Sequence, residues 1–387
     1  MKPLSRNAGD QNIHCHVRHI VADRLSHRPL MNARCFSPRR RSVALWALAT
    51  AFPLQRTLAQ QPQRQLIADM HSHATMFSRD PVLNLRNEMD EAGVTLVAWA
   101  LVDDTPFTRT TPKGIKQIRQ PEPGQLWSYF QRRVTRYDDA LRQWNLPKAL
   151  SASDIDAALR GEPHIVMASE AANFLEGQPE RVALAHAMGL RHLQLVHFIE
   201  SPLGDLQTEA PRFLGLPDVT LKVIQECKRL GVLVDLAHSA PSFVDAALAA
   251  SDATMIWSHS WISRSGGSWR DWPNVARALS PDQARRIVAH GGVVGLWTVR
   301  VHSDPAYHVR DAETYADEIL RMVDLLGPQG VAFGTDMEGA GTDAVFKRYV
   351  DLRAVADSLA RRNIPASVLH DVCIGNYARV LKKAISV

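Results

Sequence analysis

From residue 66 onward one pattern repeats along the chain. A short run of Val, Leu and Ile ends in a polar residue, and a stretch with apolar residues at helical spacing follows. The runs are 66–71, 95–101, 164–169, 192–196, 232–236, 254–257, 293–297 and 331–334. Their continuous apolar character suits strands buried on both faces, as in a parallel sheet flanked by helices. Amphipathic stretches such as 216–230 and 280–289 lie between them, and Ser280 ahead of Asp282 and Gln283 predicts a capped helix start. Gly231 and Gly291 are placed to supply left-handed caps at helix ends. Eight strand-then-helix units predict an α/β fold, a (β/α)8 TIM barrel. A helical insertion is expected over 104–163, between the second and third strands, with 125–143 as a helix presenting Leu126, Trp127, Phe130, Val134 and Tyr137. No glycine-rich phosphate loop follows the first strand, which argues against an open doubly wound sheet.

Composition changes this picture only at the N-terminus. The chain has 387 residues, 45% of them hydrophobic, and a formal net charge of +5. Residues 1–60 hold 10 of the 45 Lys and Arg but 2 of the 40 Asp and Glu, leaving 35 basic against 38 acidic residues in 61–387. The basic character belongs to a leader, so no nucleic-acid partner is inferred. That leader carries Arg39-Arg40-Arg41, an apolar run over 42–54, and Thr57-Leu58-Ala59 before Gln60. A basic flank, a short apolar core and small residues at a cut site describe an export signal, too short to span a membrane. Paired arginines before the core resemble the twin-arginine type, so the expected location is the periplasm. The expected division is a leader at 1–60 and one metallohydrolase domain at 61–387. Polar residues 1–30 leave Met31 as an alternative start. Cys15 and Cys35 would leave with the leader, and two cysteines, Cys227 and Cys373, make no disulfide framework. A homodimer is compatible with the chain, and nothing in the sequence selects it.

The chemistry gathers at the strand ends, where a barrel places its active site. The first run continues as Asp69-Met70-His71-Ser72-His73, and simple alternation would point Asp69, His71 and His73 to one face. The later runs end at Glu170, His197, His238, His259 and Asp336. Imidazoles with a carboxylate suit Zn²⁺, with Mn²⁺ or Co²⁺ as substitutes. Five candidate ligands, His71, His73, Glu170, His238 and His259, exceed one tetrahedral ion and suit two, with Glu170 shared. Two such ions would acidify a bridging water and polarise the carbonyl it attacks, and Asp336 could move the proton. Asp235 and His192 read as ordinary residues, because Asp235 alternates away from His238 and His192 opens its strand.

Taken in order, Asp69-Met70-His71, Ala168-Ser169-Glu170, Leu195-Val196-His197, the block 231–239, Trp257-Ser258-His259-Ser260, Phe333-Gly334-Thr335-Asp336 and Gly375-Asn376-Tyr377-Ala378-Arg379-Val380 resemble the membrane (renal) dipeptidase family, peptidase family M19. The resemblance runs from about residue 66 to 380. It implies a two-zinc dipeptidase acting on small dipeptide-like substrates, tolerant of chirality at the C-terminal residue. It implies that His71 holds one ion, Glu170 bridges, and His238 with His259 hold the other. It further implies that His197 contacts the carbonyl or developing oxyanion, and that Arg277 grips the substrate carboxylate; a solvated surface arginine is the alternative for Arg277. The chain departs from the family pattern at His73, where an Asp is usual, and at Ala278, where an Asn is usual. The first departure predicts that the ion held by His71 and His73 is the weaker one. Related barrels with His-x-His also hydrolyse other amides, esters and lactones, which is the alternative function, and a non-catalytic metal-binding barrel is a further one.

Overall fold

The structure is a computed structural model describing residues 64–78, 83–112, 114–213, 215–264, 276–302, 304 and 306–386. The expected leader lies outside the described residues. The strands are β1 (Ile67–Ser72), β2 (Val94–Val102), β3 (Thr108–Thr111), β4 (Gly114–Gln117), β5 (His164–Glu170), β6 (Leu190–Gln194), β7 (Leu233–Asp235), β8 (Met255–Ser260), β9 (Val294–Leu296) and β10 (Val331–Phe333). The helices are α1 (Leu85–Ala92), α2 (Gln125–Trp144), α3 (Ala152–Leu159), α4 (Arg181–Ala187), α5 (Asp218–Leu230), α6 (Pro241–Ala250), α7 (Pro281–Ala289), α8 (Ala312–Leu326), α9 (Tyr349–Ala360), α10 (Ala366–His370) and α11 (Asn376–Ile385).

Eight strands form one sheet in the order β1-β2-β5-β6-β7-β8-β9-β10, every pair parallel. Each of the eight apolar runs is one of these strands. The ends of the sheet meet beyond β10: the Asp336 N–H donates to the His71 carbonyl at 2.9 Å, and the His73 N–H to the Met337 carbonyl at 3.0 Å. The result is a nearly closed (β/α)8 barrel.

The core has two shells, as alternation along buried strands requires. Ala68, Met70, Leu96, Ala98, Ala100, Val166, Ala168, Ile256 and Ala332 fill the interior with Tyr377 and Leu381 of α11. Ile67, Val97, Trp99, Leu101, Ile165, Met167 and Trp257 face outward with apolar residues of the surrounding helices. Ser280 caps α7 by accepting from the Gln283 N–H at 3.2 Å, and Gly231 ends α5 at φ 76°. Between β2 and β5 the chain carries α2 and α3, and also the antiparallel hairpin β3–β4 that the apolar pattern did not predict. Its strands are short, polar and only partly buried, so they carry no periodic signal. Among the described residues no helix is long and apolar enough to cross a membrane.

Candidate metal centre

At the C-terminal ends of the strands the barrel interior becomes polar. Two strands turn their histidines inward by the same device. β1 and β2 pair Asp69 with Val97 but Ser72 with Trp99, one extra residue on β1. β8 and β9 pair Trp257 with Val294 but Ser260 with Leu296, again one extra residue on β8. Each is a β-bulge, which re-aims the side chains beyond it. Met70 stays inside, and beyond the bulge His71 and His73 also face the interior. Asp69 does not share their face, contrary to simple alternation. Its carboxylate accepts from the Thr335 N–H at 3.0 Å, the Thr335 hydroxyl at 2.5 Å and the Tyr349 hydroxyl at 3.2 Å, so it ties β1 to the segment after β10. Thr335 and the His71 N–H lower the Asp69 pKa, but burial outweighs them and raises it to about 6.

Glu170 is the hub. Its Oε2 lies 3.1 Å from His73 Nε2, and its Oε1 lies 3.5 Å from His71, 3.2 Å from His197, 3.3 Å from His238 and 3.6 Å from His259, each at Nε2. Asp336 Oδ1 is 3.2 Å from His73 Nε2 and 3.9 Å from His71 Nε2, which brings a second carboxylate to that side. Two groups could therefore hold a cation: His71, His73, Glu170 and Asp336, and Glu170, His197 and His238. His259 adjoins the second group, its Nε2 3.1 Å from that of His238.

The donor atoms fit divalent ions. His71 Nε2 and Asp336 Oδ1 are buried without a hydrogen-bond partner. A buried polar atom normally finds one, so this pair points to a cationic occupant. The rings are oriented from behind: His73 Nδ1–H donates to the Ala100 carbonyl at 2.8 Å, and His197 Nδ1–H to the Asp104 carboxylate at 2.9 Å. In both cases Nε2 is turned to Glu170, the arrangement that metal-ligating histidines use. Burial disfavours a charged His73, yet Asp336 and Glu170 outweigh it and push the ring up to about 10. A metal ion would compete with that proton for the same carboxylates. His197 is likewise pushed up to about 10, burial being outweighed by Asp104 and Glu170. Burial, reinforced by Arg277, holds His238 and His259 well below the ordinary value, in the neutral form a ligand needs. Burial pulls Glu170 upward, but His197 and His71 hold it well below the usual carboxylate range.

Arg277 is no solvated surface residue. It is 1% exposed, donates Nη1–H to Gln207 Oε1 at 2.8 Å, and has Nη2 3.1 Å from His259 Nε2. Burial lowers it to about 10, so it remains a cation at neutral pH. Strand-end reading assigned nothing to the second and seventh strands. Those ends supply the orienting groups: Asp104 behind His197, and Trp297, whose indole N–H donates to Asp336 Oδ2 at 2.9 Å. Asp104 was legible by the rule applied elsewhere, as a carboxylate just past an apolar run. Trp297 and Gln207 carried no such signal. His192 and Asp235 face each other at 3.3 Å, with the Tyr377 hydroxyl 3.3 Å from His192, as structural partners inside the barrel. Cys227 and Cys373 are both free and buried.

Above the centre a cavity of about 580 Å³ is lined by His73, Glu170, His197, His238, Arg277 and Asp336 among others. An eight-stranded barrel that gathers imidazoles round a shared carboxylate at this end has the donor set of a site for divalent ions. The chain belongs to the membrane dipeptidase family, peptidase family M19, whose model matches residues 119–387. It is 26% identical over 246 residues to an uncharacterized dipeptidase of Schizosaccharomyces pombe, covering 61% of this chain and 58% of the relative. It is also 26% identical over 222 residues to dipeptidase verJ of Clonostachys rogersoniana, covering 55% and 53%. The chain spans between 40% and 67% of the length of the curated relatives compared. Among solved structures, the M19 metallopeptidase dipeptidase AC superposes with a TM-score of 0.69 at 18% identity, over 84% of this chain and 100% of that one. A Rhodobacter sphaeroides metallopeptidase, solved with a phosphinate mimic of L-Ala-D-Ala, gives 0.65 at 19% identity, over 82% and 99%.

Proposed function

We propose that the protein is a zinc-dependent dipeptidase, and that Glu170 is shared between two ions. The carrying observation is the position of that carboxylate, one oxygen toward His73 and the other toward His197 and His238. His71, His73 and Glu170, with Asp336 beside them, would hold one ion. Glu170, His238 and His259 would hold the other. When bound, the two ions would acidify a water between them and polarise the substrate carbonyl. His197 is left for the substrate, since it lines the cavity whereas His259 lies below it, fully buried. Its Nε2–H, backed by Asp104, would donate to the developing oxyanion. Asp336, held by the Trp297 indole, would take the proton of the attacking water and pass it to the leaving amine. Arg277, whose Nε has no hydrogen-bond partner, would meet the substrate carboxylate. The Rhodobacter sphaeroides enzyme's dipeptide mimic supports a substrate of this kind.

Purified protein is expected to carry roughly one to two divalent ions per chain, and a strong chelator to abolish dipeptide hydrolysis. Full activity in a metal-free preparation would overturn the reading. A second reading, hydrolysis of another amide, ester or lactone, is favoured by the His-x-His of β1. It predicts turnover of those substrates in a panel where dipeptides fail. We also propose export to the periplasm, supported by Arg39-Arg40-Arg41 and the apolar run behind them. The mature N-terminus is then expected at Gln60, which N-terminal sequencing of the exported protein reads directly.

A further inference from the structure

The cavity above the metal centre carries more positive charge than an uncharged dipeptide side chain needs. Three arginines line it: buried Arg277 below, and two exposed ones, Arg109 on the β3–β4 hairpin and Arg300 beyond β9. Of the lining carboxylates, all but Asp343 are committed elsewhere. Asp104 holds His197, Asp343 lies 3.3 Å from His302, and Glu170 and Asp336 belong to the donor sets. Among the described residues neither Arg109 nor Arg300 has a carboxylate within ion-pairing distance.

Both guanidinium groups are rooted on ordered backbone. The Arg300 N–H donates to the Asp343 carbonyl at 2.8 Å, next to the bridge between Val299 and Ala344. Arg109 stands opposite Lys116 in the hairpin register, and Lys116 is held by Glu209 at 2.6 Å. The remaining wall is largely apolar, with Phe77, Ile115, Phe198, Val299 and Val301. An apolar wall lowers the local dielectric and strengthens a charge contact made against it. Asp343, half-exposed beside His302, is the one lining carboxylate outside the metal centre and its supports among the described residues.

We propose that Arg109 and Arg300 select dipeptides bearing acidic side chains, Asp or Glu, beyond the C-terminal carboxylate that Arg277 would hold. The inference rests on the dipeptidase reading of the site. Its chemistry is charge complementarity: a carboxylate entering the mouth gains two unopposed cations, while a neutral isostere of the same shape gains neither. Long-range attraction also raises the encounter rate, an effect that salt screens.

The test compares kcat/KM for Asp-Asp with that for the isosteric Asn-Asn on the metal-loaded full chain. At low salt the ratio is expected to be about tenfold or more, and to shrink as ionic strength rises. In the double variant Arg109→Gln/Arg300→Gln, checked for unchanged metal content and melting temperature, the ratio should fall to near one. A wild-type ratio near one, or a ratio that survives the double substitution, overturns the proposal while leaving the dipeptidase reading intact. If neither peptide is cleaved, it is the dipeptidase reading that fails. Calorimetric binding of the same two peptides then decides the charge question: a preference for Asp-Asp lost in the double variant supports it, and equal binding sinks it.

Discussion

Arg277 is where a single side chain separates a dipeptidase from a more general hydrolase. A free dipeptide ends in a carboxylate at a fixed distance from its scissile bond, and a guanidinium can meet it with two parallel hydrogen bonds. Because Arg277 is buried, that contact is largely desolvated. Arg277→Ala is therefore expected to lose about 2–4 kcal/mol of transition-state stabilisation on free dipeptides and much less on C-terminally amidated ones. Equal losses in kcat/KM on both substrate types would remove Arg277 as the anchor. His73 poses the complementary question. It stands where the family resemblance leads one to expect an anion, and Asp336 Oδ1, 3.2 Å away, brings a carboxylate to the same side. His73→Asp should still raise occupancy of that site in metal titrations, and an unchanged binding curve would show that Asp336 compensates fully.

The β-bulges matter most at the level of the secondary-structure elements. In β8 the bulge turns the Ser258 carbonyl into the barrel interior, against β9 and the residue just past β10. A Cβ at Gly295 would lie 1.9 Å from that oxygen, and one at Gly334 only 1.7 Å from it. These glycines are required by close approach, so the aim of His259 depends on the absence of side chains on β9 and just past β10. Gly334→Ala should cost about 1–3 kcal/mol of stability, as overpacking does, and should lower metal content through displacement of β8. A melting curve and metal analysis of the variant read both; a stable variant with full metal would show that β8 gives way freely. The eight strands were legible because strands buried on both faces read as uninterrupted apolar runs. The bulges were not, since one extra residue leaves no compositional trace. That is why Asp69 was expected beside His71 yet faces Thr335 and Tyr349. Asp104 and Trp297 act through other side chains, a relation that spacing along the chain does not encode.

For the whole molecule, the seam between the last strand and the first is the feature with the widest reach. The other neighbours share strand ladders, whereas this junction rests on a few bonds past the strand ends: Asp336 to His71, His73 to Met337, and Thr335 to Asp69. His71 and His73 stand on one side of the seam and Asp336 on the other. A barrel is a hoop, and here its clasp lies beside the candidate metal centre. An ion gripped from both sides would act as a rivet through that clasp, so chelation should loosen the hoop at one place before anywhere else. Hydrogen exchange on peptides covering 66–74 and 331–338 should quicken on metal removal, while peptides from β5 and β6 keep their protection. Uniform loosening, or none, would mean that the clasp holds without its rivet. If the clasp does depend on it, a chain short of metal ages first by springing open at the seam, with its reactive floor exposed before its core is lost.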